Sequence, residues 1–136
     1  SVFMVSRRVI PVMLKAGKGV IVNTASASGI IASAAGPAYT SAKHGVIGLT
    51  KQLAYEYGQK GIRVNAVCPG VIATPKLKES GMVEPGGPWH DLTMNAPAGR
   101  YGEPFEIAKV TAFLASDDAS FIHGCAVPVE GGSTIL

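Results

Sequence analysis

The stretch Ser26 to Lys43, S-A-S-G-I-I-A-S-A-A-G-P-A-Y-T-S-A-K, decides how the chain folds. Ahead of it lies Gly19 to Ala25, an apolar run rich in Val and Ile that reads as a buried strand. Pro37 suits the first turn of a helix, where its missing amide costs nothing, and the helical pattern that follows runs over Ala38 to Tyr57 until Gly58 and Gly61 close it. A hydroxyl, Ser26, therefore stands at the end of a strand, while a phenol and an ammonium stand on the next helix. Tyr39 and Lys43 are four residues apart, so on a helix they share one face, one turn above the other. Ser26 meets them if the helix folds back over the strand.

Outward from this stretch, Ile62 to Val67 reads as a second short buried strand. Strand, helix and strand predict a right-handed βαβ unit with a parallel sheet. In the helix, Ala42, Val46, Leu49, Leu53, Ala54 and Tyr57 are expected to face inward, and Gly45 and Gly48 to admit a closely packed neighbour. Upstream, Ser1 to Ala16 carries Phe3, Val5, Val9, Ile10, Val12, Met13 and Leu14, a helix with one broad apolar face that Pro11 is expected to kink or end early. The G-x-G at Gly17 to Gly19 precedes a strand instead of following one, so it is no dinucleotide fingerprint. Downstream, Lys76 to Gly99 has no lasting periodicity and is broken at Gly81, Pro85, Gly86, Gly87, Pro88 and Pro97. So long a connector predicts a substrate lid over 76–99, with Met82, Trp89, Leu92 and Met94 as apolar lining and His90 on its surface. A helix from Pro104 to Ser116, with Ile107, Val110, Phe113 and Leu114 buried, then leads to a third strand, Cys125 to Val129, and a turn at Glu130-Gly131-Gly132.

Composition narrows the classes. With 136 residues, 47% hydrophobic and 15% charged, the chain suffices for one α/β domain and a modest core. Its net charge of +3 is dispersed, without a dense basic run or interleaved aromatics, which argues against nucleic acid as a partner. Cys68 and Cys125 form no C-x-x-C and read as buried thiols in a reducing compartment. His44, His90 and His123 lack metal-ligand spacing, so no metal is expected. No apolar run approaches membrane-spanning length and no signal peptide is visible, which makes the cytoplasm the expected location and a membrane an unexpected partner.

A phenol ordinarily titrates near pH 10, so acid–base work at neutral pH asks for positive charge beside it. Lys43 supplies one source and the helix N-terminus near Pro37 another. Ser26 would hold a substrate oxygen by a hydrogen bond while Tyr39 moves the proton. That is machinery for interconverting a carbonyl and an alcohol, with the hydride left to a cofactor.

This arrangement resembles the active site of the short-chain dehydrogenase/reductase family, whose Tyr-x-x-x-Lys pair follows a catalytic Ser thirteen positions before the Tyr, the spacing of Ser26 and Tyr39. Pro69-Gly70 followed by Val71-Ile72-Ala73-Thr74-Pro75, and the closing Gly-Gly, extend the resemblance over essentially the whole chain. It implies a Rossmann-like parallel sheet with flanking helices, incomplete, the C-terminal half of a doubly wound fold. It implies Ser26, Tyr39 and Lys43 as catalytic residues and NAD or NADP as cofactor, contacted by Tyr39, Lys43, Pro69, Gly70, Ile72 and Thr74, with Ile72 and Thr74 on the carboxamide. A small secondary alcohol or ketone is the implied substrate, and a homodimer or homotetramer the implied assembly of the full-length protein. Two positions depart from the family pattern: Glu130 replaces the usual Asp before Gly-Gly, and Thr40-Ser41-Ala42 reverses the common Ala-Ser before the Lys.

The family's glycine-rich pyrophosphate turn, its cofactor-choosing residue and its catalytic Asn have no counterpart in these 136 residues. The chain therefore reads as a single partial domain, a fragment holding the acid–base half of an active site. Two other classes stay open: a non-catalytic oligomerising module built on the two long helices, and a serine hydrolase using Ser26 or Ser28, for which no G-x-S-x-G elbow is present.

Overall fold

The computed structural model describes residues 1–87 and 89–135; Pro88, one of the expected breaks in the connector, lies outside them. Three parallel strands form one sheet in the order β1 (Gly19–Thr24), β2 (Ile62–Pro69), β3 (Ala126–Val129). Helices α1 (Val2–Ala16) and α2 (Pro37–Tyr57) cover one face, and α5 (Pro104–Ala115) covers the other. Two short helices, α3 (Pro75–Glu79) and α4 (His90–Asn95), occupy the connector that the sequence left without regular structure. They escape a periodicity reading because five or six residues complete less than two turns.

β2 is the middle strand, and Ile62 to Cys68 is buried throughout, as a parallel strand covered on both faces should be. Ile62, Val64, Ala66 and Cys68 pack toward α1 and α2 with Ile10, Ile47, Leu53 and Ala54. Val67 packs the other way, with Leu114, Ala119, Val22 and Val127. The polar residues of β2 are spent on backbone. Arg63 donates to the carbonyls of Leu114 (2.8 Å) and Ser116 (2.7 Å), satisfying the open end of α5. Asn65 donates to the Ile122 carbonyl (2.7 Å) and accepts the Cys125 amide (2.9 Å), so one side chain holds the entry to β3. In β1, Asn23 donates to Thr50 Oγ1 (2.9 Å), which donates to the Val46 carbonyl (2.8 Å), tying strand to helix.

Several expectations are corrected. α1 runs through Pro11 as one helix; Pro11 and Arg7 are both exposed, so the carbonyl that Pro11 cannot serve lies on the wet side. Its buried residues are Ser6 and Ile10, and Phe3, Met4, Val5, Val12 and Leu14 are exposed. On α2 the buried set is Ile47, Thr50, Leu53 and Ala54, whereas Ala42 is exposed. A Cβ at Gly45 or Gly48 would meet nothing within 4 Å, so no described element makes the close approach expected there. Phe113 is 46% exposed because the inward stripe of α5 follows Ile107, Val110 and Leu114. Cys68 is buried and its thiol is pushed up by burial, but Cys125 sits in the turn before β3 and is exposed; both are free.

β1 pairs on one side only, so its outer edge is unpaired among the described residues. No helix of the described residues is long and apolar enough to cross a membrane. No group of three or more His, Cys, Asp or Glu among them is placed to hold a metal ion.

Candidate active site

β1 ends at Thr24, but the Ala25 amide still donates to the Val67 carbonyl (2.9 Å), which carries the chain to the carboxyl edge of the sheet. Ser26 then caps a single 3₁₀ turn, Ala27–Gly29, its Oγ accepting the Ser28 amide at 3.1 Å. An amide only donates, so the Ser26 hydroxyl keeps its own proton to give. The side chain is 9% exposed.

Gly29 seats this turn on α2. A Cβ there would stand 2.8 Å from the Lys43 carbonyl oxygen, so only glycine lets the turn lie against the helix backbone. Sequence reasoning passed over this residue; its signal was a lone glycine three positions after Ser26.

Lys43 reaches back across the same gap. Its Nζ donates to the Thr24 carbonyl (3.0 Å) and lies 5.5 Å from the centroid of the Tyr39 ring. The strand end thus fixes the ammonium beside the phenol, one helical turn away. Tyr39 itself is 44% exposed and borders a cleft of about 590 Å³.

That cleft brings Ser26, Tyr39, Pro69, Gly70 and Ile72 together, under Leu77, Trp89 and Leu92 from the 76–99 segment. Lys43 stands behind Tyr39, off the cleft wall. Thr74 is off the wall as well; its hydroxyl accepts the Leu77 amide (3.3 Å) as the cap of α3, and its own amide donates to the Ile72 carbonyl (2.7 Å). Ile72 forms a parallel bridge to Gly102 in which Gly102 donates to Val71 (3.0 Å) and Ala73 donates to Gly102 (2.8 Å). Those bonds turn the amide of Ile72 itself to the opposite side. Of the apolar lining expected from the connector, Trp89 and Leu92 border the cleft, while Met82 and Met94 are exposed.

His90 is not a surface residue. Half-buried, its Nδ1 lies 3.2 Å from both the Val83 carbonyl and the Tyr101 hydroxyl, which itself donates to Val83 (2.7 Å). Burial, with Glu84 and Asp91 nearby, pushes the Tyr101 phenol up. The 76–99 segment is thereby pinned to the start of α5.

Hydroxyl, phenol and backbone groups converge at the carboxyl edge of a parallel sheet, where open α/β proteins bind their ligands. Over residues 1–134 the chain matches a family model described as enoyl-(acyl carrier protein) reductase. It is 44% identical to levodione reductase of Leifsonia aquatica, over 98% of this chain and 51% of that protein. It is 48% identical to cyclohexanol dehydrogenase of Acinetobacter sp., over 92% of this chain and 47% of that protein. Among solved structures, levodione reductase superposes with a TM-score of 0.89 at 43% identity, covering 98% of this chain and 54% of that one. A 4-hydroxyisoleucine dehydrogenase complexed with NADH gives 0.87 at 38% identity, over 98% and 55% of the two chains. An Agrobacterium tumefaciens protein with bound NADP gives 0.91 at 36% identity, over 99% and 55%. The chain belongs to the short-chain dehydrogenase/reductase family. It spans about half the length of these relatives.

Proposed function

We propose that the chain is the catalytic half of an NAD- or NADP-dependent oxidoreductase that interconverts a secondary alcohol and a ketone. The observation that carries this reading is the fixed trio: Ser26 and Tyr39 face one cleft, and Lys43 is held between the Thr24 carbonyl and the Tyr39 ring. In alcohol oxidation the Tyr39 oxygen takes the substrate hydroxyl proton, and in ketone reduction it returns one. Ser26 donates its free proton to the same substrate oxygen in both directions. The Lys43 ammonium stabilises the negative charge that develops on the phenol as its proton leaves.

The residues present fit a nicotinamide. Pro69, Gly70 and Ile72 line the cleft beside Tyr39, the amide of Ile72 is turned away from its bridge, and the Thr74 hydroxyl accepts its cap bond while retaining a proton to donate. When bound there, the cofactor supplies or accepts the hydride at the substrate carbon. NADH and NADP in related structures support that choice. Leu77, Trp89 and Leu92 cover the substrate as the inner surface of a lid over 76–99. The apolar residues that α1 exposes, Phe3, Met4, Val5, Val12 and Leu14, support a homo-oligomer of the whole protein.

Tyr39→Phe in the full-length enzyme keeps the ring and removes the proton carrier. Turnover is expected to fall about 10²- to 10⁴-fold with the circular dichroism spectrum unchanged. Turnover close to wild type would overturn the assignment.

A further inference from the structure

A second hydroxyl faces the cleft with a fixed direction. Ser28, 6% exposed, receives a hydrogen bond from Ser33 Oγ at 2.7 Å, and Ser33 Oγ accepts the Ala35 amide at 3.2 Å. Ser33 Oγ accepts from that amide with one lone pair and donates its own proton to Ser28 Oγ. The Ser28 proton is then the loose end of the chain Ala35 N–H, Ser33 O–H, Ser28 O–H, and all three residues line the cleft.

The distance to the reacting centre is bounded. The Ser28 amide nitrogen is 3.1 Å from Ser26 Oγ. Amide nitrogen and hydroxyl oxygen of one serine are at most about 3.7 Å apart, so the two hydroxyls lie within about 7 Å of each other. That reach suits two oxygens carried on one small molecule. The other walls include Ile31, Leu77, Trp89 and Leu92, and no charged side chain lines the cleft among the described residues. A charged substituent would lose water here and gain no counter-charge.

We infer that the substrate is a neutral ketone or alcohol bearing a second oxygen, and that Ser28 donates a hydrogen bond to that second oxygen. The inference rests on the dehydrogenase reading and names the substrate class of the same cleft. Ser26 and Tyr39 act on the reacting oxygen; Ser28 selects for the second one.

The test compares kcat/KM for cyclohexane-1,4-dione and cyclohexanone in the full-length enzyme with its reduced cofactor, as wild type, Ser28→Ala and Ser33→Ala. The ratio of dione to monoketone is expected to fall about 3- to 10-fold in Ser28→Ala, the effect of one neutral hydrogen bond. Ser33→Ala, which lets the Ser28 proton turn elsewhere, is expected to lower the same ratio by less, and it serves alone if Ser28→Ala does not fold. A ratio unmoved in the folded variants, both ketones losing equally, would show a structural role and overturn the inference while leaving the dehydrogenase reading intact. Efficient turnover of 4-oxocyclohexanecarboxylate would likewise overturn it. A wild-type enzyme that reduces neither ketone with either cofactor would remove the dehydrogenase reading, and this inference with it.

Discussion

Gly29 carries no side chain, and the close approach of the Ser26 turn to Lys43 depends on that. Its would-be Cβ lies 2.8 Å from the backbone oxygen of Lys43, so in Gly29→Ala either the Ser26 turn or α2 must move. The expected cost is about 1–3 kcal/mol of stability. Because displacement of about 1 Å at a reacting group costs on the order of 100-fold, kcat/KM should fall at least about 10-fold while the protein still folds. Thermal melting and steady-state kinetics measure the two effects separately, and full activity would show that the contact does not hold the trio. That Tyr39 and Lys43 stand together was legible in the sequence because a helix imposes its own spacing, four residues apart being one face, whereas Ser26 was singled out by its place at a strand end and its spacing in the family resemblance. Gly29 and Ser33 were not legible, and Ser28 was read only as a candidate hydrolase nucleophile, because what approaches these residues in space is not written in the sequence. A glycine after a strand has many uses, and a serine among alanines announces no partner.

At the scale of elements, the start of α5 is the most strongly charged joint described. Arg100 grips Glu106 with two bonds of 2.8 Å, and Glu106 also accepts the Glu103 amide (2.8 Å) as half of a capping box. The hydrogen bonds from Arg100, then that from Glu103, hold the Glu106 carboxyl down from its ordinary 4.5 to about 2. A carboxyl with a lowered value in the folded state stabilises above its unfolded value and loses that contribution as pH falls through the folded one. Glu106→Gln should therefore unfold at lower urea than wild type at pH 6, and the gap should narrow as pH is lowered from 5 toward 2. A gap independent of pH over that range would mean that the carboxylate charge contributes nothing. The elements themselves were readable, since β1, α2, β2, α5 and β3 all carry their apolar runs and stops in sequence. Which way a helix faces was less so. α1 and α5 have apolar residues around most of their circumference, and only the sheet beneath them selects Ile10 on one and Leu114 on the other.

For the whole molecule, the open side of β1 matters most. A parallel strand with an unpaired outer edge is a template for another strand. The polypeptide as given also lacks a glycine-rich turn at a helix N-terminus to receive a pyrophosphate. Losing several charge-assisted hydrogen bonds, roughly 1.5 to 3 kcal/mol each, would carry a micromolar cofactor site beyond millimolar. Calorimetric titration of the 136-residue chain with NADH and with NADPH should accordingly show no micromolar binding. Such binding with turnover would show that these 136 residues are sufficient. The bond from Lys43 to the Thr24 carbonyl has a kinetic meaning as well. It spans 19 residues, whereas the bonds of Asn65 span 57 and 60 and those of Arg63 span 51 and 53. Closing the shorter loop sacrifices less chain entropy, so the corner that holds the phenol and ammonium is expected to form ahead of the β2–β3 side during refolding, an order that pulse-labelled hydrogen exchange would read.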